Sequence, residues 1–210
     1  AGGKAGAVPA PPRAYAYRDA YVRTSGERFS LDPAQLKNRL MHLTNDGVQK
    51  GTATYGKYEA GNKLSLEELE ACVQADVAGA PADWVNTTLV PRMKSIVAAS
   101  IAACADAINP NANRRCFELL GYDFMVDEQL NTWFIEVNSN PCLELSSPYL
   151  ERFLPELISN VMRVGLDPLF PPPPPHERTA RQDTAFQALQ KLENRFDLVF
   201  DPADPPPLDV

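Results

Sequence analysis

The sequence is poor in the features that announce a metal cluster or a disulfide scaffold. Its 210 residues include four cysteines, Cys72, Cys104, Cys116 and Cys142, too far apart to form close ligand pairs. A structural zinc is therefore not expected, and the thiols are expected to be reduced and partly buried rather than bridged. Charge breaks each apolar run before the roughly 18 residues a spanning helix needs, and no basic-then-apolar leader opens the chain. Neither a membrane span nor secretion is expected, which leaves a cytoplasmic reading. A basic excess is lacking too. The formal charge is −7, the wrong sign for a nucleic-acid partner. There is no internal repeat. What is present, at 44% hydrophobic residues, suffices for one domain with a sizeable core.

Local patterns predict mixed secondary structure. Ser65-Leu66-Glu67-Glu68 reads as a capping box, with Leu64 placed to staple onto Leu69, so a helix is expected from about Leu66 to Ala78. From Met93, the residues Ile96, Val97, Ile101, Cys104 and Ile108 recur at helical spacing and predict a long amphipathic helix whose stripe is core. Ser147-Pro148 reads as a cap with a first-turn proline, opening a helix faced by Leu150, Phe153, Leu154, Leu157, Ile158 and Val161. Pro155 is expected to kink or split it. Pro171 to Pro175 reads as a stiff spacer, followed by a last helix from about Arg181 to Leu198 and an extended Pro202 to Pro207 tail. Either proline run could instead serve as a ligand for an aromatic groove. The first dozen residues are alanine, glycine and proline with one lysine, a composition that packs no core.

The most informative stretch reads as a β-hairpin. Its first strand runs through Gly121-Tyr122-Asp123-Phe124-Met125-Val126 and its second through Thr132 to Asn138, with Asp127 to Asn131 as the polar connection. Strict alternation places Gly121, Asp123 and Met125 on one face and Tyr122, Phe124 and Val126 on the other. In the second strand it groups Phe134, Glu136 and Asn138 against Trp133, Ile135 and Val137. If the two polar faces coincide, Asp123, Glu136 and Asn138 converge as oxygen donors suited to Mg²⁺ held with substrate phosphates. The same pattern also fits a polar outer face on an ordinary hairpin.

Further segments, in order, are Tyr15-Ala16-Tyr17-Arg18-Asp19-Ala20-Tyr21-Val22-Arg23-Thr24-Ser25, His42-Leu43-Thr44-Asn45-Asp46-Gly47-Val48-Gln49-Lys50, Asn138-Ser139-Asn140-Pro141 and Leu166-Asp167-Pro168-Leu169-Phe170-Pro171. Together with the hairpin they resemble the tubulin tyrosine ligase-like family of ATP-grasp ligases, from about Tyr15 to Pro172. The resemblance implies an α+β fold: the carboxy-terminal portion of an ATP-grasp fold, antiparallel sheet packed with helices. The expected organisation is a flexible segment over 1–14, the ligase portion over 15–170, a proline-rich linker over 171–180, and a terminal helix with tail over 181–210.

By position, the resemblance implies that Arg23 faces the terminal phosphates of ATP, a task suited to a guanidinium fork. Thr44 and Asn45 match the pair beside the nucleotide and the reacting carboxylate, and Asp123, Glu136 and Asn138 match the magnesium ligands. Taken alone, Arg23 also fits a surface ion pair, and Thr44 with Asn45 the start of a turn. His42, between Met41 and Leu43, reads as packed or hydrogen-bonded, and Lys50 as a solvated lysine at a strand end.

The implied function is ATP-dependent addition of tyrosine, glutamate or glycine to tubulin through an acylphosphate, with ATP and Mg²⁺ as cofactors and tubulin or microtubules as partners. The implied location is the cytoskeleton, with a cilium or axoneme as one setting. The alternative is a non-catalytic microtubule or axonemal component that keeps the ligase fold. The family also implies an upstream strand with lysine, aspartate and arginine on the phosphates, and nothing before Tyr15 resembles it. The chain is therefore expected to be the carboxy-terminal part of a longer protein and inactive alone. Its net charge of −7 sets a further demand: a local basic patch or the rest of the protein must attract the acidic tubulin tails, or the microtubule is met elsewhere than at its tails.

Overall fold

The computed structural model describes residues 12–110, 113 and 116–204. In chain order the regular elements are β1 (Ala14–Tyr17), β2 (Tyr21–Arg23), α1 (Arg39–His42), α2 (Asp46–Gln49), β3 (Lys63–Ser65), α3 (Leu66–Asp76), α4 (Val90–Ile108), β4 (Gly121–Val126), β5 (Thr132–Asn138), α5 (Pro148–Gly165), α6 (Ala180–Gln190) and β6 (Phe196–Phe200). Among the described residues the strands form three antiparallel pairs, β1–β6, β2–β3 and β4–β5. The mixture of helices and small antiparallel sheets is α+β, as expected. The chain divides into two compact units, one of residues 1–18, 90–141 and 157–210, the other of 19–89 and 142–156.

In the second unit the capping box forms as its sequence predicts. The Ser65 hydroxyl accepts from the Glu68 amide at 3.1 Å, and the Glu68 carboxylate accepts from the Ser65 amide at 2.7 Å. Past α3, the Glu70 carboxylate accepts from the backbone of Trp84 and Val85, which draws in the π-helical turn Val85–Leu89. Trp84, Val85 and Leu89 are buried there, with Val73 buried on the neighbouring α3 and Met41 buried on α1. Ser147 accepts from the Leu150 amide at 3.2 Å, so it caps α5 as predicted. Leu150 and Leu154 are buried, each contributing about 1.5–3 kcal/mol.

In the first unit α4 packs against β1, β5 and β6. Ala98 and Ile101 are its buried positions, whereas the expected stripe loses its last turn: Cys104 and Ile108 are exposed. By length and apolarity alone, Val85–Ile108 is large enough to cross a membrane, contrary to the charge argument. Core helices meet the same criterion, and Lys94 inside α4 pairs with Asp197 at 2.6 Å. Leu157 and Val161 are buried on α5, so the predicted apolar face holds, and Pro155 sits within one helix rather than splitting it.

The terminal helix is shorter than expected. It stops at Gln190, and Phe196 to Phe200 pairs with β1 as a strand, with the Tyr17 and Phe196 rings 4.9 Å apart. This pairing joins residues about 180 positions apart, so no local pattern announces it. Of the predicted flexible segment, residues 1–11 lie outside the described residues and Ala14 opens β1; of the predicted tail, 205–207 lie outside them. All four cysteines are unbridged, and all are exposed rather than partly buried.

Candidate active site

The hairpin is closed by one carboxylate. Asp127 accepts from the Trp133 indole at 2.8 Å, from the Asn131 side chain at 3.0 Å, and from the amides of Gln129 and Asn131. The indole bond and its neighbours outweigh desolvation and hold the Asp127 carboxyl below its ordinary range. Beyond the turn the register runs Val126 to Thr132, Met125 to Trp133 and Phe124 to Phe134, then jumps to Asp123 opposite Glu136 and Gly121 opposite Asn138. Ile135 is the extra residue of a β-bulge.

That bulge changes which residues share a face. Strict alternation grouped Phe134 with Glu136 and Asn138, and Trp133 with Ile135 and Val137. Instead Phe134 lies with Tyr122 and Phe124, ring centroids 5.9–6.2 Å apart, and Trp133 lies beside Met125. Tyr122 also bonds Ser100 of α4 at 2.8 Å, so the aromatic face is turned to the helix. Burial raises the pKa of the Tyr122 phenol, against the opposing effect of that bond. The opposite face carries Asp123, Glu136 and Asn138, since directly paired residues project to the same side.

Asp123 is half-buried, Glu136 is exposed, and the Asn138 amide donates to Glu136 at 3.4 Å. Gly121 leaves room for the chain after β5, because a Cβ there would lie 2.9 Å from that of Pro141. Among the described residues no three His, Cys, Asp or Glu side chains gather as a metal cage. Two carboxylates and an amide carbonyl do suit Mg²⁺, which takes one or two protein carboxylates plus phosphate and water.

Arg23, Thr44 and Asn45 belong to the other unit. Arg23 ends β2, half-buried and directly opposite Lys63 of β3. Thr44 and Asn45 precede α2, Thr44 half-buried and Asn45 exposed. Asn45 occupies the N-cap position, yet only its backbone carbonyl is engaged there, by the amides of Val48 and Gln49; its side chain does not cap the helix.

Four residues that organise this region were not singled out from the sequence. Gln49 is fully buried: its amide donates to the carbonyls of Leu40 and Leu43 at 2.8 and 2.7 Å and accepts from Gly26. Asn62 accepts from Gly56 at 2.7 Å and donates to the Thr24 carbonyl. Lys63, its side chain 3% exposed, donates to Asp46 at 2.6 Å. Asp46 also accepts from Ser146 at 2.8 Å. Burial pushes the Asp46 carboxyl up, but the bonds from Lys63 and Ser146 and the charges of Lys63 and Lys50 prevail and hold it below its ordinary value. A polar residue among polar neighbours in sequence gives no sign of burial; Asp46 and Gln49 lie inside the quoted His42–Lys50 segment, whereas Asn62 and Lys63 lie outside every quoted segment.

His42 is packed and hydrogen-bonded as expected, 3.1 Å from the Gln35 carbonyl with its ring edge-on to Phe29. Lys50 stands at the end of α2 rather than of a strand, and pairs with Glu144 at 3.3 Å.

The sequence model of the tubulin-tyrosine ligase family matches residues 8–179. The chain is 30% identical to the probable alpha-tubulin polyglutamylase Ttll1 of Tetrahymena thermophila over 158 residues, 73% of this chain and 36% of that protein. It is 31% identical to tubulin glycylase 3B of the same organism over 160 residues, 75% of this chain and 13% of that protein. It is also 34% identical to the probable tubulin polyglutamylase TTLL9 of Rattus norvegicus over 137 residues, 65% of this chain and 28% of that protein. The chain thus spans little more than a third of these relatives at most.

Proposed function

The chain belongs to the tubulin-tyrosine ligase family, and from that premise we propose that it carries part of the active site of an ATP-dependent ligase that adds an amino acid to tubulin. The observation that bears this reading is the hairpin face on which Asp123 stands opposite Glu136 with Asn138 beside them. In this reading the chain contributes the carboxy-terminal portion of an ATP-grasp fold. Asp123, Glu136 and Asn138 would hold Mg²⁺, which neutralises phosphate charge when bound. Arg23 engages the terminal phosphates through its guanidinium fork. Thr44 and Asn45 orient the nucleotide and the carboxylate to be activated.

The reaction we propose is amide formation in two steps. A tubulin carboxylate oxygen takes the terminal phosphoryl group of ATP, releasing ADP. The donor amine then attacks the acyl carbon, phosphate leaves, and the nitrogen gives up a proton. The relatives named as polyglutamylases and a glycylase make glutamate and glycine the donors to test first.

Charge supports tubulin as the partner. Between Tyr21 and Lys63 the sequence has seven lysines and arginines against four acidic residues, a local positive excess in a chain of net −7. An acidic tail is attracted to such a segment. The cytoskeleton, including a cilium or axoneme, is the setting this reading implies. A second reading, a non-catalytic microtubule component with the same fold, draws on the exposed Met125, Trp133, Ile135 and Val137 of the hairpin. The two part at Glu136→Gln in the native protein. The ligase reading expects transfer to fall to background without a change in melting temperature, because an anionic ligand is lost while shape is kept. Full transfer by that variant at saturating magnesium would remove Glu136 from the site.

A further inference from the structure

We propose that the ion pair between buried Lys63 and half-buried Asp46 is a positioning device that fixes Thr44 and Asn45 relative to Arg23; this rests on the ligase reading of those three residues. α2 has only four residues, far below the length at which a helix holds itself in water. Its place is therefore set by what grips its two ends. Gln49 grips the last residue through the Leu40 and Leu43 carbonyls and the Gly26 amide. Asp46 grips the first, immediately after Asn45, with one oxygen on the Lys63 ammonium at 2.6 Å and the other on the Ser146 hydroxyl at 2.8 Å.

Lys63 is also the residue directly paired with Arg23 across β2–β3, so the two side chains leave the same face of that ladder. The ammonium is buried, and it donates as well to the Gly61 carbonyl at 3.1 Å. One side chain thereby joins the partner strand of Arg23 to the first residue after Thr44-Asn45. A longer, more mobile link would leave the two site elements free to drift. Displacement of about 1 Å at a reacting centre can cost on the order of 100-fold in rate.

A fold-only role predicts something different, and four forms of the native protein separate the two: wild type, Lys63→Met, Asp46→Asn, and the double variant. Lys63→Met takes from half-buried Asp46 its hydrogen-bonded cation, leaving only Lys50 at 3.9 Å, and is expected to lower the melting temperature. The double variant removes that carboxylate charge as well, so its melting temperature should recover most of the loss. Positioning predicts that amide exchange of residues 44–50 nevertheless stays accelerated at least 10-fold in the double variant, and that its kcat for amino-acid transfer stays on the order of 100-fold low. Ser146→Ala, which removes only one grip, should shift exchange at the same amides by less. Wild-type exchange and kcat in the double variant would overturn the proposal. Should the wild type transfer no amino acid, the ligase reading fails by itself, and the exchange data still decide whether the pair fixes residues 44–50.

Discussion

The two groups of site residues are supported in opposite ways. Arg23, Thr44 and Asn45 sit on a scaffold of buried polar side chains, with Gln49, Asn62 and Lys63 each no more than 5% exposed and each bonded to neighbouring backbone or to Asp46. Asp123, Glu136 and Asn138 stand on a hairpin whose aromatic face meets α4 through Tyr122, while the site face stays open, with Met125 and Trp133 more than half exposed. In the first region a single substitution disturbs geometry and stability together. In the second they are separable, because an exposed ligand can change without leaving a buried group unsatisfied.

Substitutions should therefore grade sharply by region. Lys63→Met is expected to have the largest effect, about 3 kcal/mol of stability, the lower end for a broken buried pair because Asp46 is partly solvated and keeps Lys50 at 3.9 Å. Chemical denaturation would measure it, and a loss under about 1 kcal/mol would mean that water satisfies Asp46 and that the contrast is overstated. Gln49→Ala should follow at roughly 2 kcal/mol, because the Leu43 carbonyl and the Gly26 amide lose the Gln49 side chain, while the Leu40 carbonyl keeps the Ser25 hydroxyl. Thermal unfolding would report it.

Acid provides a milder probe of the same region. The Asp46 carboxyl lies below its ordinary value of 3.8 in the folded chain, so its contribution to stability is present above that pH and is lost as pH falls through the lower, folded value. Stability followed from pH 6 downward should fall less steeply in Asp46→Asn than in wild type. Identical slopes would show that the carboxylate is no better held in the folded state than in the unfolded one. Smallest of all, Glu136→Gln should move stability by no more than about 0.5 kcal/mol. A large loss there would erase the distinction between the two regions.

What the sequence made legible follows how local its causes are. The Ser65/Glu68 box, the Ser147 cap and the Asp127–Asn131 connection are set by residues within a few positions of each other, and all three form. The convergence of Asp123, Glu136 and Asn138 on one face is found too, though by a route that strict alternation did not contain. The bulge at Ile135 leaves those three together while moving Phe134 and Trp133 to other sides. Nothing in Thr132 to Asn138 marks a bulge, since no glycine or turn residue interrupts the strand. The strand Phe196 to Phe200 and the buried Lys63 depend on partners distant in sequence, Ala14 to Tyr17 for the one and Asp46 for the other. A lysine's burial is decided by the acid it meets, and that meeting is a property of the fold.

The most direct test of the ligase site is mass spectrometry of tubulin incubated with the native protein, Mg²⁺, ATP and, in turn, glutamate, glycine and tyrosine. The account predicts an ATP-dependent mass increase of whole amino-acid residues with at least one donor, in wild type and not in Glu136→Gln. Unmodified tubulin with all three donors, from a protein shown to be folded, would contradict it and leave the hairpin face as a structural surface.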